Sequence, residues 1–312
     1  MAKRNLSSGD PTADRRADYA AMLAEGGEHA AAAELLGQAL ELVPGWAAGW
    51  FLQGSYLEKA GAQEDAIAAY RKVVALAPDD LFGASLKLAS LGAGSVPALP
   101  PSAYVEGLFD DYADRFDTAL VERLGYTVPE KLSVLVIEQA GETVRFGTVV
   151  DLGCGTGLFA AAFADHAARF EGYDLSQAML AKARSKGLYT HLGQADLSKE
   201  PAASGLFEGS PEARADLVAA ADVMMYLGDL EAAFANAAAL LNAAGLFAFS
   251  VEKARADTGY ELRESLRYAH SADHVAKVLN ANGMHIIRQS ETTIRMDAGQ
   301  PIIGLLFIAM KS

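Results

Sequence analysis

The most constraining stretch of the chain is Val149-Val150-Asp151-Leu152-Gly153-Cys154-Gly155-Thr156-Gly157. An apolar run that ends in three glycines at alternate positions reads as a strand, a tight turn and the start of a helix. Glycine suits such a turn because the backbone enters the left-handed region and comes close to a ligand. In α/β sheets, a turn of this kind after the first strand is where nucleotides bind. Two details set it apart from a dinucleotide-binding turn. Its glycines read G-x-G-x-G rather than G-x-G-x-x-G, and Asp151 precedes them. A pyrophosphate is held by bare N–H groups at a helix start, and a neighbouring carboxylate opposes it. A ligand with an ammonium group and a positive sulfur tolerates that acid well.

The pattern beyond this turn predicts strands over 148–152, 169–174, 191–195, 215–220, 245–251, 285–296 and 302–310. Helices fill most gaps between the first five, so those strands are expected to lie parallel in a sheet covered on both faces. The last two are joined by the short polar segment 297–300 and are expected to pair antiparallel. The fold class is therefore α/β, a doubly wound seven-stranded sheet. Asp174 ends the second expected strand, where an acid can accept both ribose hydroxyls. Asp196, in Ala195-Asp196-Leu197, ends the third and is in place to accept from an adenine amino group.

In this order and spacing, the glycine turn, the second-strand acid, the Ala-Asp pair and the closing hairpin resemble the class I S-adenosylmethionine-dependent methyltransferases over about 146–311. The resemblance implies strand order 3-2-1-4-5-7-6 with the last strand antiparallel. It implies that Asp151, Gly153, Gly155 and Gly157 hold the methionine part of S-adenosylmethionine, Asp174 the ribose and Asp196 the adenine. Cys154, Leu175, Met179, Ala195, Leu197, Ala221 and Tyr112 are expected around the same cofactor. NAD is the alternative ligand. The segment 104–124, with Tyr104, Phe109, Tyr112 and Phe116, resembles the helical lid of many small-molecule methyltransferases, and a further helix is expected over 129–140.

The N-terminal third repeats itself. Gly27 and Gly61, Ala32 and Ala66, Leu36 and Tyr70, and Pro44 and Pro78 all stand 34 residues apart, and Trp50 and Gly54 fall near the start of the second copy. Thirty-four is the tetratricopeptide period. Small alanines permit close helix approach, the glycines sit in the turns, and the prolines end the second helix of each pair. A cap helix over 81–91 and a Gly/Pro-rich linker complete the module. A length of 312 residues suits about two domains. The expected division is a flexible 1–12, two repeats and a cap over 13–92, a linker over 93–102, a lid over 103–142 and a cofactor-binding domain over 143–312. A repeat module ahead of such a lid is similar to a bacterial group of tetratricopeptide-containing methyltransferases.

A net charge of −14 argues against nucleic acid and anionic membrane surfaces as partners. The lone Cys154 makes no internal disulfide, and the first dozen residues carry no apolar run of the signal-peptide kind, so a cytoplasmic location is expected.

Methyl transfer from a sulfonium needs alignment and exclusion of water, with a general base where the acceptor carries a proton. Asp222 and Tyr226, just past the fourth strand, and His270 are the catalytic candidates, with His270 the preferred base. For Asp222, capping the following helix is the competing role. Arg263 and Arg267, four apart, would share a helix face, either holding an anionic acceptor or pointing to solvent with Glu261 and Glu264. His270 and His274 have metal-binding spacing, but Ser271 reads as an N-cap and takes His270 off the helix, so no metal is expected. The expected activity is methyl transfer to an oxygen or nitrogen of a small molecule. The alternative is a protein methyltransferase whose repeats recruit a peptide or carrier protein. The repeats are also candidates for self-association.

Overall fold

The structure, a computed structural model, describes residues 7–113, 126–297 and 299–312. It divides into two compact units, Met1–Gly107 and Leu108–Ser312. The expected seam lay at 92–102.

The first unit is helical: α1 (Pro11–Glu25), α2 (His29–Leu42), α3 (Ala47–Lys59), α4 (Gln63–Leu76), α5 (Ala84–Ser90) and the start of α6 (Ser102–Tyr112). Its backbone follows the sequence period. Helix α2 spans 29–42 and α4 spans 63–76, a shift of 34 at both ends, and the C-terminal ends of α1 and α3 differ by the same number. Gly27 and Gly61 adopt φ of 84° and 80° in the two intervening turns. Ala32, Ala66, Leu36 and Tyr70 are fully buried. At Gly54 an added Cβ would lie 2.7 Å from the Tyr70 ring, so only glycine lets α3 approach α4 this closely. The chain is ordered earlier than expected within 1–12. Asp10 caps α1 by accepting from Thr12 and Ala13 N–H, and Ser7 and Ser8 bond to Asp14.

The second unit follows the strand–helix alternation. It contains α7 (Val128–Ala140), β1 (Phe146–Leu152), α8 (Leu158–Ala162), β2 (Ala167–Asp174), α9 (Gln177–Lys186), β3 (His191–Gln194), β4 (Ala215–Ala220), α10 (Glu231–Leu240) and β5 (Leu241–Lys253). The chain continues through β6 (Tyr260–Leu262), β7 (Tyr268–His270), α11 (Ala272–Ala281), β8 (Met284–Asp297) and β9 (Gln300–Lys311). The long strands lie in the order β3-β2-β1-β4-β5-β9-β8, with β9 antiparallel to both neighbours. This is the expected 3-2-1-4-5-7-6 arrangement once β8 and β9 are counted as the sixth and seventh long strands. The short pair β6 and β7 adds to it, making a nine-stranded sheet among the described residues. Three-residue strands carry too little alternation to be read from sequence.

Successive strand residues point to opposite sides, and the central strands β1, β4 and β5 are buried on both. On one face Val149, Leu217, Ala248 and Ile308 pack with Leu132 and Val136 of α7 and Phe159 of α8. On the other, Phe247, Phe249 and Phe307 stack at centroid separations of 4.5 and 5.2 Å, and Phe234 of α10 meets Phe249 edge-on at 5.0 Å. Residues 114–124 of the expected lid, Phe116 among them, lie outside the described residues.

One buried ion pair ties the strand that ends in Asp174 to β4. Arg214 Nε lies 2.8 Å from Glu171 Oε2, with side-chain exposures of 6% and 9%, and Arg214 also donates to Tyr173 Oη and Leu206 O. Removing one partner of such a pair leaves a buried charge poorly compensated. Arg214→Met is expected to lower unfolding free energy by about 3 kcal/mol in urea titrations at neutral pH. Lys277→Ala, which breaks the exposed pair with Asp273, should leave the midpoint nearly unchanged.

Candidate cofactor and acceptor site

The glycine turn adopts the backbone that its residues predict. Gly153, Gly155 and Gly157 have φ of 61°, 53° and 89°. A Cβ on Gly153 would stand 2.4 Å from a Val223 methyl, so the turn packs directly against the residue after Asp222. Gly157 caps α8. Parallel pairing continues past the strand ends, through Cys154 N–H to Tyr173 O at 2.9 Å and Ala195 N–H to Asp174 O at 3.1 Å. These two bonds bring the loops after β1, β2 and β3 side by side.

Asp174, the last residue of β2, holds the turn in place. Its Oδ2 accepts from Gly155 N–H and its Oδ1 from Ser176 N–H, both at 2.8 Å. Burial pushes its carboxyl up to about 6; the N–H groups of Ser176 and Gly155 offset part of this, and nearby Asp110 adds to it. Asp151 is buried within β1 and accepts only from the Tyr189 hydroxyl, at 2.7 Å. Burial raises its carboxyl to about 7 despite that bond, with Asp174 contributing in the same direction. Among the described residues, neither carboxylate has a Lys or Arg partner. Asp196 lies two residues past β3 and forms a turn with Ser198, whose N–H and hydroxyl donate to Oδ1 at 3.0 and 2.6 Å.

The other expected cofactor residues fall around the same loops. Met179 is buried in the first turn of α9, with its N–H on the capping Ser176 hydroxyl. Leu175 follows Asp174, and its carbonyl accepts from Gln194 at 2.8 Å. Ala195 and Leu197 are buried on either side of Asp196. Ala221 is half-buried at the end of β4, and Tyr112 is the last residue of α6. Cys154 packs against Leu180 and Ala183, and burial pushes its thiol well above the usual range. It fills space and is not a nucleophile.

Asp222 follows β4 with a φ of 56° and does not cap the next helical turn, whose N-cap is Val223. Ser250 binds it twice: the hydroxyl accepts from Asp222 N–H at 2.8 Å and donates to Oδ1 at 2.9 Å. Arg295 Nη1 stands 3.9 Å from its Oδ2. Burial lifts this carboxyl to about 6, against the pull of Arg295 and Ser250. Arg295 itself is buried and bound to Glu252. Tyr126 is buried, and burial, with the charges of Asp222, Tyr226 and Asp151 adding to it, pushes its phenol well above the usual range. Tyr226 stacks edge-on with Phe109 of α6 at 5.0 Å.

His270 does not join this group. It is fully buried on β7, its Nε2 donates to Gly228 O at 3.1 Å, and its Nδ1 is enclosed without a partner. Burial lowers its pKa to about 4. Its ring lies parallel to His274 at 6.0 Å, beside Tyr260. The preferred base from sequence is thus a packed, neutral histidine. Arg263 and Arg267 share no helix face. They close the β6–β7 hairpin, where Arg263 N–H bonds to Arg267 O at 2.8 Å. The Arg263 side chain turns to Lys253 O and Glu261, and Arg267 lies over the Tyr226 ring at 5.9 Å.

Tyr189, Asp110, Tyr126 and Arg295 were not singled out by sequence reasoning. Arg295 carried the clearest signal, a charged residue at a buried strand position.

Three left-handed glycines and two buried acids that have no cation among the described residues fit a positively charged ligand. The comparisons agree. A family model described as a methyltransferase domain matches residues 124–295. The chain belongs to that methyltransferase family. Its cofactor is S-adenosylmethionine. A malonyl-[acyl-carrier protein] O-methyltransferase from Enterobacter lignolyticus (strain SCF1) is 30% identical over 140 residues, 45% of this chain and 52% of that protein. The chain therefore spans about half the length of that curated relative. In fold it is similar to the [4+2]-cyclase SpnF (18% identity, 68% of this chain and 97% of that one, TM-score 0.55). It is also similar to the magnesium protoporphyrin IX methyltransferase ChlM from Synechocystis PCC 6803 with bound SAM (19% identity, 68% and 97% coverage, TM-score 0.51). One fold thus carries a cyclase and a methyltransferase, so function has to be argued from the site.

The raised acids have a consequence for stability. A carboxyl whose folded pKa lies above its unfolded value binds its proton more tightly when folded. Stability is therefore highest below the unfolded value and falls as pH rises through the folded one. For Asp151 that window runs from about 4 to about 7. Asp151→Asn should raise the melting temperature of the ligand-free protein at pH 8 and leave it nearly unchanged at pH 4.5, measured by scanning calorimetry. Equal shifts at both pH values would contradict the assignment.

Proposed function

We propose that the protein transfers the methyl group of S-adenosylmethionine to an oxygen or nitrogen of a small-molecule acceptor. The carrying observation is the pair of buried acids, Asp151 and Asp174, set against a turn of left-handed glycines with no cation among the described residues to balance them. Asp151 and the glycine N–H groups would hold the methionine part, Asp174 the ribose, and Asp196 the adenine edge. When bound, the cofactor supplies an electrophilic methyl on a positive sulfur. The chain's own task is to align the acceptor and exclude water. Asp222 and Tyr226 would line the acceptor side, since the residue between Asp222 and the helical turn packs on Gly153. Isothermal calorimetry with S-adenosylmethionine tests this reading. The wild type should bind, and Asp174→Ala should weaken binding by about tenfold or more. No binding by the wild type, or unchanged affinity in the variant, would sink it.

A second reading keeps the chemistry but presents the acceptor on a carrier protein recruited by the helical unit, whose 34-residue period supports tetratricopeptide-like repeats. The relative named for an acyl-carrier-protein substrate favours it. So does an open groove of about 670 Å³ on α2 and α3, lined by Glu34, Gln38, Glu41, Trp50 and Gln53. Comparing one acceptor free and carrier-bound, with the full chain, separates the two. Carrier attachment should raise kcat/KM by about tenfold or more under the second reading and change it little under the first.

A further inference from the structure

The side chains that sequence reasoning nominated for proton transfer are engaged elsewhere. His270 is enclosed, with its one proton on Gly228 O. Asp222 is fixed by Ser250 and shielded by Arg295. The Tyr226 ring is packed between Phe109 and the Arg267 guanidinium. An acceptor hydroxyl or ammonium must shed a proton to become a nucleophile, and that step calls for a free base. A carboxylate is already a nucleophile and needs none.

Arg267 supplies the complementary feature. Arg295 is bound to Glu252 inside the unit, whereas Arg267 interacts with Glu252 and Asp222 only through longer-range charge, keeps 29% side-chain exposure and pairs with Asp297 at 3.9 Å. That pair sits at the rim, where solvent weakens it. The Arg267 guanidinium lies over the Tyr226 ring, four residues past Asp222. Its planar fork of donors matches a carboxylate with two parallel hydrogen bonds.

We infer that the acceptor is a carboxylate, bound by Arg267 beside Tyr226, and that the product is its methyl ester. This rests on the methyl-transfer reading above. A lone pair on one carboxylate oxygen forms the new bond to the methyl carbon as the carbon–sulfur bond breaks, and that bond's electron pair stays on sulfur. No proton moves. The negative carboxylate and the positive sulfur both become neutral, so Arg267 loses its ionic partner on ester formation, which favours release.

The test uses the full-length protein saturated with S-adenosylhomocysteine. It is titrated calorimetrically with benzoate and with straight-chain acids from butyrate to decanoate, each beside its primary amide. At least one acid is expected to bind about tenfold more tightly than its amide. That preference should vanish in Arg267→Gln and return in part in Arg267→Lys, while affinity for S-adenosylhomocysteine stays within about twofold in both. A set in which no acid outbinds its amide, or a preference that survives Arg267→Gln, overturns the inference. Failure of the wild type to bind S-adenosylhomocysteine overturns the methyl-transfer reading instead. With the best acid and S-adenosylmethionine, the transferred methyl should be released as methanol in mild alkali; a methyl stable to alkali also counts against the ester.

Discussion

Two buried carboxylates with no cation beside them among the described residues set the terms for the α/β unit. Taking an ionised acid out of water is costly unless hydrogen bonds or an opposite charge replace the solvent. Asp174 meets part of that cost with the N–H groups of Gly155 and Ser176, and Asp151 with a single phenol. Both remain strained toward their neutral forms. Neutralising Asp151 would relieve the ligand-free protein, so its presence makes sense as complementarity to a ligand. Asp174 does two jobs: its bond to Gly155 shapes the turn, and its charge remains to be matched.

The remainder of the unit serves that arrangement. The parallel strands end together, and backbone bonds beyond β1, β2 and β3 keep their loops aligned. The tip of β4 is pinned to β5 through Asp222 and Ser250, and Val223 presses on Gly153. The glycine turn and the tip of β4 are therefore linked through packed atoms within one unit. Tyr126, buried in the same core, feels the charges of both Asp151 and Asp222.

Much of this was legible in the sequence, for identifiable reasons. The glycine turn and Asp174 depend on local backbone geometry and strand spacing, which a linear pattern records. The central strands β1, β4, β5 and β9 are legible because burial on both faces leaves apolar runs. In the helical unit, the 34-residue offset of glycines and alanines is matched by the helix ends themselves. The acceptor side was harder to read. Arg295 and Glu252 meet across 43 positions of sequence, and no periodicity encodes such a pairing. Arg263 and Arg267 had helical spacing, yet a four-residue separation also fits a hairpin turn, and the β6–β7 pair realises that one. His270 was the preferred base for its place just before a helix; it is buried on β7, a three-residue strand that meets the end of β5 through two residue pairs, a contact that sequence does not announce.

The account turns on whether the buried acids are matched by the cofactor's positive charge. Calorimetric titration with S-adenosylmethionine at pH 6.5, in buffers of differing ionisation enthalpy, reads this directly as protons exchanged on binding. With Asp151 and Asp174 raised to about 7 and about 6, a cation beside them should drive off on the order of one proton per site. No proton release, or net uptake, would contradict the account.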